Sequence, residues 1–474
     1  MVENEGEKPA RNVGETAGSK PRGILFWLLM IAVAIASAAV LFPRIGRTEF
    51  LSDESGWISS GRYYTNLVLE GDLSREKWRC GECGGFGDLN MQVGKWLVGV
   101  PLTLDRQSRE EAFFRFYDTT ASYEENVARG LVPPHHTLMV ARRACAVFGV
   151  LCCLLVFIIG WYAGHVFVGT IAAGLVMLDP LFIQQATRAM TDIHYNFFLL
   201  CFCLALVLLS ATSSPKRALL LAGLCGIFTG LACTIKITGL VIGGASFLLT
   251  LGQCAWFGLT TKRAILYQLA VFCCSALVVI YGLNPYFWPS PRRLADTAVF
   301  GELKELSNEI ITTRHLPRDS RARFPHISTL GWPLQFPRLF TRWNKRMQDQ
   351  EKIPSAKWNE PRPVELTRRA VNDLSFFPKV WLVLVIGIVV LLWKRSRQML
   401  SIPDNPGLVC LQFFLVNYLF ILTFMRVNWD RYYLPTVLAS SLVIAFGFYA
   451  IAFQIYQVYP VLKRAVFSRR NLQH

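Results

Sequence analysis

Acidic residues are the scarce ones in this chain. Its 474 residues hold 32 Asp and Glu against 49 Lys and Arg, a formal charge of +17. No nucleic-acid-binding motif accompanies that charge, which excludes nucleic acid as the partner. Many of the cations lie in short links between apolar blocks, where positive charge sets membrane orientation. The alternating pattern of a transmembrane barrel is also lacking. Polar stretches are nearly without cysteine: of 13, eleven lie inside apolar blocks, where a thiol serves as a small hydrophobe. Only Cys80 and Cys83 sit in a polar loop, in C-G-E-C-G-G-F-G-D. No second Cys or His pair stands at ligand spacing, so a zinc site is not supported. A local disulfide or two free thiols remain. The adjacent His135-His136 reads as a solvated loop rather than a metal site. No small-residue cleavage site follows the first apolar run, so no cleavable signal peptide is expected.

What is present is apolar length. Hydrophobic residues make up 53 % of the chain, gathered in blocks near the roughly 20 residues that cross a bilayer as a helix. The expected fold is an all-α polytopic membrane protein with about ten transmembrane helices. They are predicted near Gly23–Leu41, Leu138–Tyr162, Val166–Ile183, Ile193–Ala211, Ala218–Thr234, Gly239–Phe257, Ala264–Leu283, Phe376–Trp393, Leu408–Phe424 and Leu434–Val458. Residues 1–22 are predicted to be a disordered cytoplasmic leader and 459–474 a basic cytoplasmic tail. Alternation then puts Lys216-Arg217, Lys262-Arg263 and Lys394-Arg395 inside. Two large extracytoplasmic loops result, 43–137 and 289–374. Val93–Leu104, apolar but too short to span, reads as an interfacial helix.

With that topology, ionisable groups recur on one face. Asp53-Glu54 follows the first helix, and Arg142-Arg143 opens the second. Arg188, Asp192 and His194 lead into the fourth; Lys236 sits between the fifth and sixth; Asp430-Arg431 precedes the tenth. Charges near hydrocarbon need a partner or a task. Each alone has a plain explanation: snorkelling for the cations, capping or an i, i+4 pair with Arg188 for Asp192, an interfacial histidine for His194. Together they suit sugar transfer from a lipid phosphate to a hydroxyl. Cations hold the phosphate and stabilise it as it leaves; a carboxylate takes the acceptor proton.

Several stretches resemble one family in order. D-E-S-G-W after the first helix is similar to the Asp-Glu motif of protein O-mannosyltransferases and lipid A aminoarabinose transferases. G-K-W-L-V-G-V-P, Arg142-Arg143, T-R-A-M-T-D, G-L-A-C-T-I-K-I-T-G-L, L-N-P-Y-F-W-P-S-P and D-R-Y-Y-L-P resemble later stretches of these enzymes. Where the family reads His-Pro-Pro, this chain has Asn90-Met91-Gln92-Val93. The resemblance implies the C-type, membrane-embedded glycosyltransferase fold and an inverting reaction. It implies Asp53 as general base, with Glu54 orienting it or the acceptor, and Asp192 binding the acceptor or a cation. Arg142 or Arg143, Lys236, Arg431 and Lys95 would hold the donor phosphate. Arg188, His194, Tyr63 and Trp288 complete the substrate side. No resident metal is assigned; Asp53, Glu54, Asp192 and His194 could share one divalent cation or none. The expected partners are a polyprenyl-phosphate-linked sugar, membrane lipid and an acceptor hydroxyl of unassigned class. The expected place is a bacterial inner membrane, with the site facing the periplasm. A transporter or flippase of an anionic lipid, or a non-catalytic lipid-binding subunit, is the alternative. The eukaryotic family's soluble insert and the aminoarabinose transferases' C-terminal domain are not recognised, so the acceptor class does not carry over.

Overall fold

The computed structural model describes residues 23–285 except 73, 75–76, 79, 81–82, 84–91, 119–120 and 259, together with 288, 380–400, 404–424 and 430–470. The leader 1–22 and the whole of the loop 289–374 lie outside the described residues. Among the described residues every regular element is a helix. In chain order these are α1 (Ile24–Leu41), α2 (Ser52–Leu69), α3 (Gln92–Leu104), α4 (Arg106–Glu111), α5 (Tyr123–Ala128), α6 (His135–Ala163), α7 (Val166–Leu178) and α8 (Pro180–Ala186). They continue as α9 (Asp192–Ala211), α10 (Pro215–Cys233), α11 (Thr238–Trp256), α12 (Lys262–Gly282), α13 (Val380–Leu392), α14 (Lys394–Met399), α15 (Asp404–Phe424) and α16 (Leu434–Arg470). A 3-10 turn, Asp430–Tyr433, leads into α16.

The protein is a multi-pass membrane protein. Seven of its described helices are long and apolar enough to cross a bilayer, and eight if the bent pair α7–α8 is one span. The apolar helices at 382–392 and 405–420 are shorter than that. Among the described residues, length and composition thus establish up to eight of the ten predicted spans, and both shorter helices run up to residues outside the description. The break has a local cause. Asp179 caps α8 by accepting from the Phe182 amide at 2.9 Å, and Pro180 occupies the first helical position. The two halves meet at 72°.

Burial sorts the helices. α1 turns Ile24, Leu28, Ile31 and Ile35 outward, and α12 does the same with Leu266, Leu277 and Val278. Such surfaces belong against lipid. α9 and the last span are the most buried of the membrane-crossing helices described. These two helices make the centre on which α6, α7, α10 and α15 pack.

The first predicted loop is substantially helical. α2 and α3 lie side by side, and glycine sets their approach. A Cβ at Gly99 would stand 2.1 Å from the Gly61 carbonyl oxygen and 2.3 Å from Thr65 Oγ1. A Cβ at Gly94 would stand 2.8 Å from the Thr191 side chain, so the first turn of α3 abuts the start of α9. His136 does not stand solvated alone: it lies in the first turn of α6 and pairs through Nε2 with Asp105 at 2.8 Å. Ser108 first, and then His136, hold the Asp105 carboxyl down at about 2. Close helix contact through small residues is a recurring membrane-protein device. Gly99→Val should therefore lower stability by about 1–3 kcal/mol through forced separation of α2 and α3. Thermal unfolding in detergent measures this, and an unshifted midpoint would contradict the packing.

Candidate functional site

The site is built at the first turn of α2. Asp53 and Glu54 are consecutive, so they point in different directions around the helix. Glu54 points inward and is fully buried. Its Oε1 accepts from Arg142 Nε at 2.8 Å and from the Ala189 amide at 2.7 Å. Its Oε2 accepts from Arg142 Nη2 at 2.6 Å and from the Leu51 amide at 3.0 Å. Arg142 spends its remaining donors on backbone. Nη1 donates to the Ile45 and Thr48 carbonyls at 2.9 and 2.7 Å, and Nη2 to that of Glu49 at 3.3 Å. All five guanidinium donors are engaged, leaving none for a phosphate. Arg143, the other member of the pair, is exposed. Arg142 thus braces α6 against α2, while Arg143 is turned away from this buried network.

Asp53 points outward. It is one-third exposed and forms an ion pair with Arg431, from the turn before α16. A second pair stands near it. Asp192, at the first position of α9, is bound by Lys236 from the link between α10 and α11. Arg431 is attracted by Asp192 as well as by Asp53, so the two pairs form one electrostatic cluster. Tyr432 joins them: the Lys236 ammonium lies 5.1 Å from its ring centre and the Arg431 guanidinium 5.8 Å. Tyr195 lies 5.9 Å from the same ammonium. Contacts of this kind hold a cation at low polarity without neutralising it.

The other nominated residues separate. Lys95 is fully buried on α3, its ammonium 4.0 Å above the Tyr64 ring. Tyr64 donates to the Trp78 carbonyl at 3.2 Å, beside the disulfide that joins Cys80 and Cys83. Tyr63, the residue nominated from sequence, instead donates to the Lys77 carbonyl at 2.8 Å. Arg188 is buried in the turn between α8 and α9. His194 is fully buried with its ring 4.4 Å from that of Phe148, edge to face. Trp288 turns back and donates to the Tyr281 carbonyl at 2.9 Å. Among the described residues no group of three His, Cys, Asp or Glu gathers to hold a metal ion. Glu54, Asp53 and Asp192 each face a cation instead.

Tyr64, Tyr195, Tyr432 and Asn417 were missed from sequence. The signal for Tyr432 was its place next to Arg431. For Asn417 it was a lone amide inside an apolar run, L-Q-F-F-L-V-N-Y-L-F.

Breaking a buried pair leaves an uncompensated charge. Arg142→Gln should therefore cost about 3–5 kcal/mol, whereas Arg143→Gln should leave stability within roughly 0.5 kcal/mol. Unfolding midpoints of the two variants, compared with the wild type, decide between strut and ligand for this pair.

Comparison with known proteins follows the same lines. Residues 115–292 match the family of dolichyl-phosphate-mannose-protein mannosyltransferases. No curated protein matches significantly over the chain. Among solved structures, the oligosaccharyltransferase AglB of Archaeoglobus fulgidus, in complex with an inhibitory peptide and a dolichol-phosphate, is 13 % identical with a TM-score of 0.52. The match covers 94 % of this chain and 52 % of that one. ArnT of Cupriavidus metallidurans, bound to undecaprenyl phosphate, is 13 % identical with a TM-score of 0.46, over 90 % of this chain and 60 % of that one. The chain thus spans little more than half the length of either. The resemblance to membrane-embedded, lipid-linked-sugar glycosyltransferases is borne out by a mannosyltransferase-family match over residues 115–292 and a fold shared with the archaeal oligosaccharyltransferase.

Proposed function

We propose that this protein is a glycosyltransferase that moves a sugar from a polyprenyl phosphate to an acceptor hydroxyl at the extracytoplasmic membrane face. The observation that carries the reading is the paired arrangement at one place: Asp53 with Arg431, and Asp192 with Lys236. The family match and the shared fold support it. The same reading places both termini in the cytoplasm of a bacterial cell and residues 43–137 and 289–374 outside it. The basic links Lys216-Arg217 and Lys262-Arg263 support that orientation.

The pairs suggest how the reaction is set up. A donor phosphate competes with the two carboxylates for Lys236 and Arg431, since all are anionic acceptors of the same donors. Once Arg431 turns to the phosphate, Asp53 is left with a free carboxylate. The acceptor oxygen attacks the anomeric carbon as its proton passes to Asp53. The bond from that carbon to the phosphate oxygen breaks, and the electron pair leaves with the phosphate. Lys236 and Arg431 stabilise the charge that develops there. A single displacement inverts the anomeric centre. Asp192, released from Lys236, is available to orient the acceptor. Glu54 holds the first turn of α2 in place and does not touch substrate.

The test uses purified protein in nanodiscs with a panel of polyprenyl-phosphate sugars, following release of free polyprenyl phosphate. Asp53→Asn should fold normally and lose about 100- to 10,000-fold in turnover, the range of a lost general base. Near-normal turnover would remove Asp53 from that role. A wild-type protein inert on every donor, with membrane extract supplied as acceptor, would remove the transferase reading itself.

A further inference from the structure

Lys236 and Arg431 share a cavity of about 20 Å³ whose walls include Tyr195, Thr238, Asn417 and Tyr432. That volume admits one water-sized group and no sugar ring. Thr238 donates to the Tyr195 hydroxyl at 2.9 Å, so one wall is already knit together. Asn417, another of the lining residues, is only half paired. It sits on α15 at 1 % exposure. Its Nδ2 donates to the Phe413 carbonyl one turn back at 2.7 Å. This bond fixes the amide, because a flip would set Oδ1 against a carbonyl oxygen. Oδ1 is buried and, among the described residues, has no hydrogen-bond partner. A buried acceptor without a donor costs free energy, and the cost is greater in a membrane interior. Capping Phe413 explains the amide nitrogen only; the oxygen still calls for a group that donates.

The flanking charges define that group. Next to Lys236 and Arg431 an ammonium is repelled, and the group must be a donor small enough for the cavity. A hydroxyl satisfies both conditions. We propose that Asn417 Oδ1 receives one hydroxyl of the donor sugar, so that the enzyme selects a sugar that is neutral and hydroxylated at that position. The ring itself stays outside the cavity, beside the phosphate held by the two cations. Asn417 is then a specificity-determining residue, and the inference rests on the transferase reading given above.

The experiment measures kcat/KM for full-length protein in nanodiscs on the preferred polyprenyl-phosphate sugar and on its monodeoxy analogues. With the wild type, one analogue should lose roughly 10- to 100-fold, the effect of leaving a buried acceptor unmade. Asn417→Leu should lose a similar factor on the intact donor and treat that one analogue no worse. Equal turnover of all analogues by the wild type would overturn the inference while leaving the transferase reading standing. So would equal losses by Asn417→Leu on intact and deoxy donors. The wild-type series needs no variant, so it decides the matter even if Asn417→Leu does not fold. A wild type inert on all donors overturns the reading and this inference together.

Discussion

The bond between Glu54 and Arg142 is the constraint on which the rest of this site depends. It joins the first turn of α2 to the opening of α6, and through the Ala189 amide it reaches the turn that starts α9. Three elements far apart in sequence are thereby fixed by one carboxylate. Burying a charged pair is expensive unless every donor and acceptor is used. Here the guanidinium spends all five donors and the carboxylate accepts four bonds. Such a network rigidifies more than it stabilises. Its effect on Asp53 is indirect: with Glu54 held inward, the neighbouring side chain is turned toward Arg431.

The close approach of α2 and α3 is a second constraint of the same sort. Gly61 and Gly99 let two backbones meet where any side chain would separate them, and Gly94 lets α3 reach the start of α9. The consequence is that Lys95 arrives at full burial over an aromatic ring. A buried ammonium on a rigid platform contributes field rather than a mobile arm.

Much of the architecture could be read from the residues, because apolar length and the basic links are one-dimensional signals. Helix positions fell close to the expected blocks from Leu138 to Leu283. The break at Asp179-Pro180 was legible in principle from an N-cap followed by proline, yet the apolar run continues through it and masks it. The site was half legible. Asp53, Asp192, Lys236 and Arg431 stood out as charges beside hydrocarbon. Whether a given arginine was strut or ligand was not, since Arg142 and Arg143 differ only by the 100° a helix turns per residue. Likewise Tyr63 and Tyr64 are indistinguishable in sequence, and their roles follow from which face of α2 meets α3. The aromatic partners of the cations were hidden because tyrosine at a membrane edge is ordinary.

The two ion pairs have a bearing on the end of a reaction as well as its start. A phosphate clamped by Lys236 and Arg431 would be slow to leave if nothing competed for them. Asp53 and Asp192 remain beside those cations throughout, and each regains its partner only when the phosphate departs. On the proposed reading Asp192, and Asp53 once it has given up the acceptor's proton, act as built-in competitors that help expel the spent carrier. The unloaded site returns to electrical neutrality at the membrane edge, where a bare charge would be hardest to sustain.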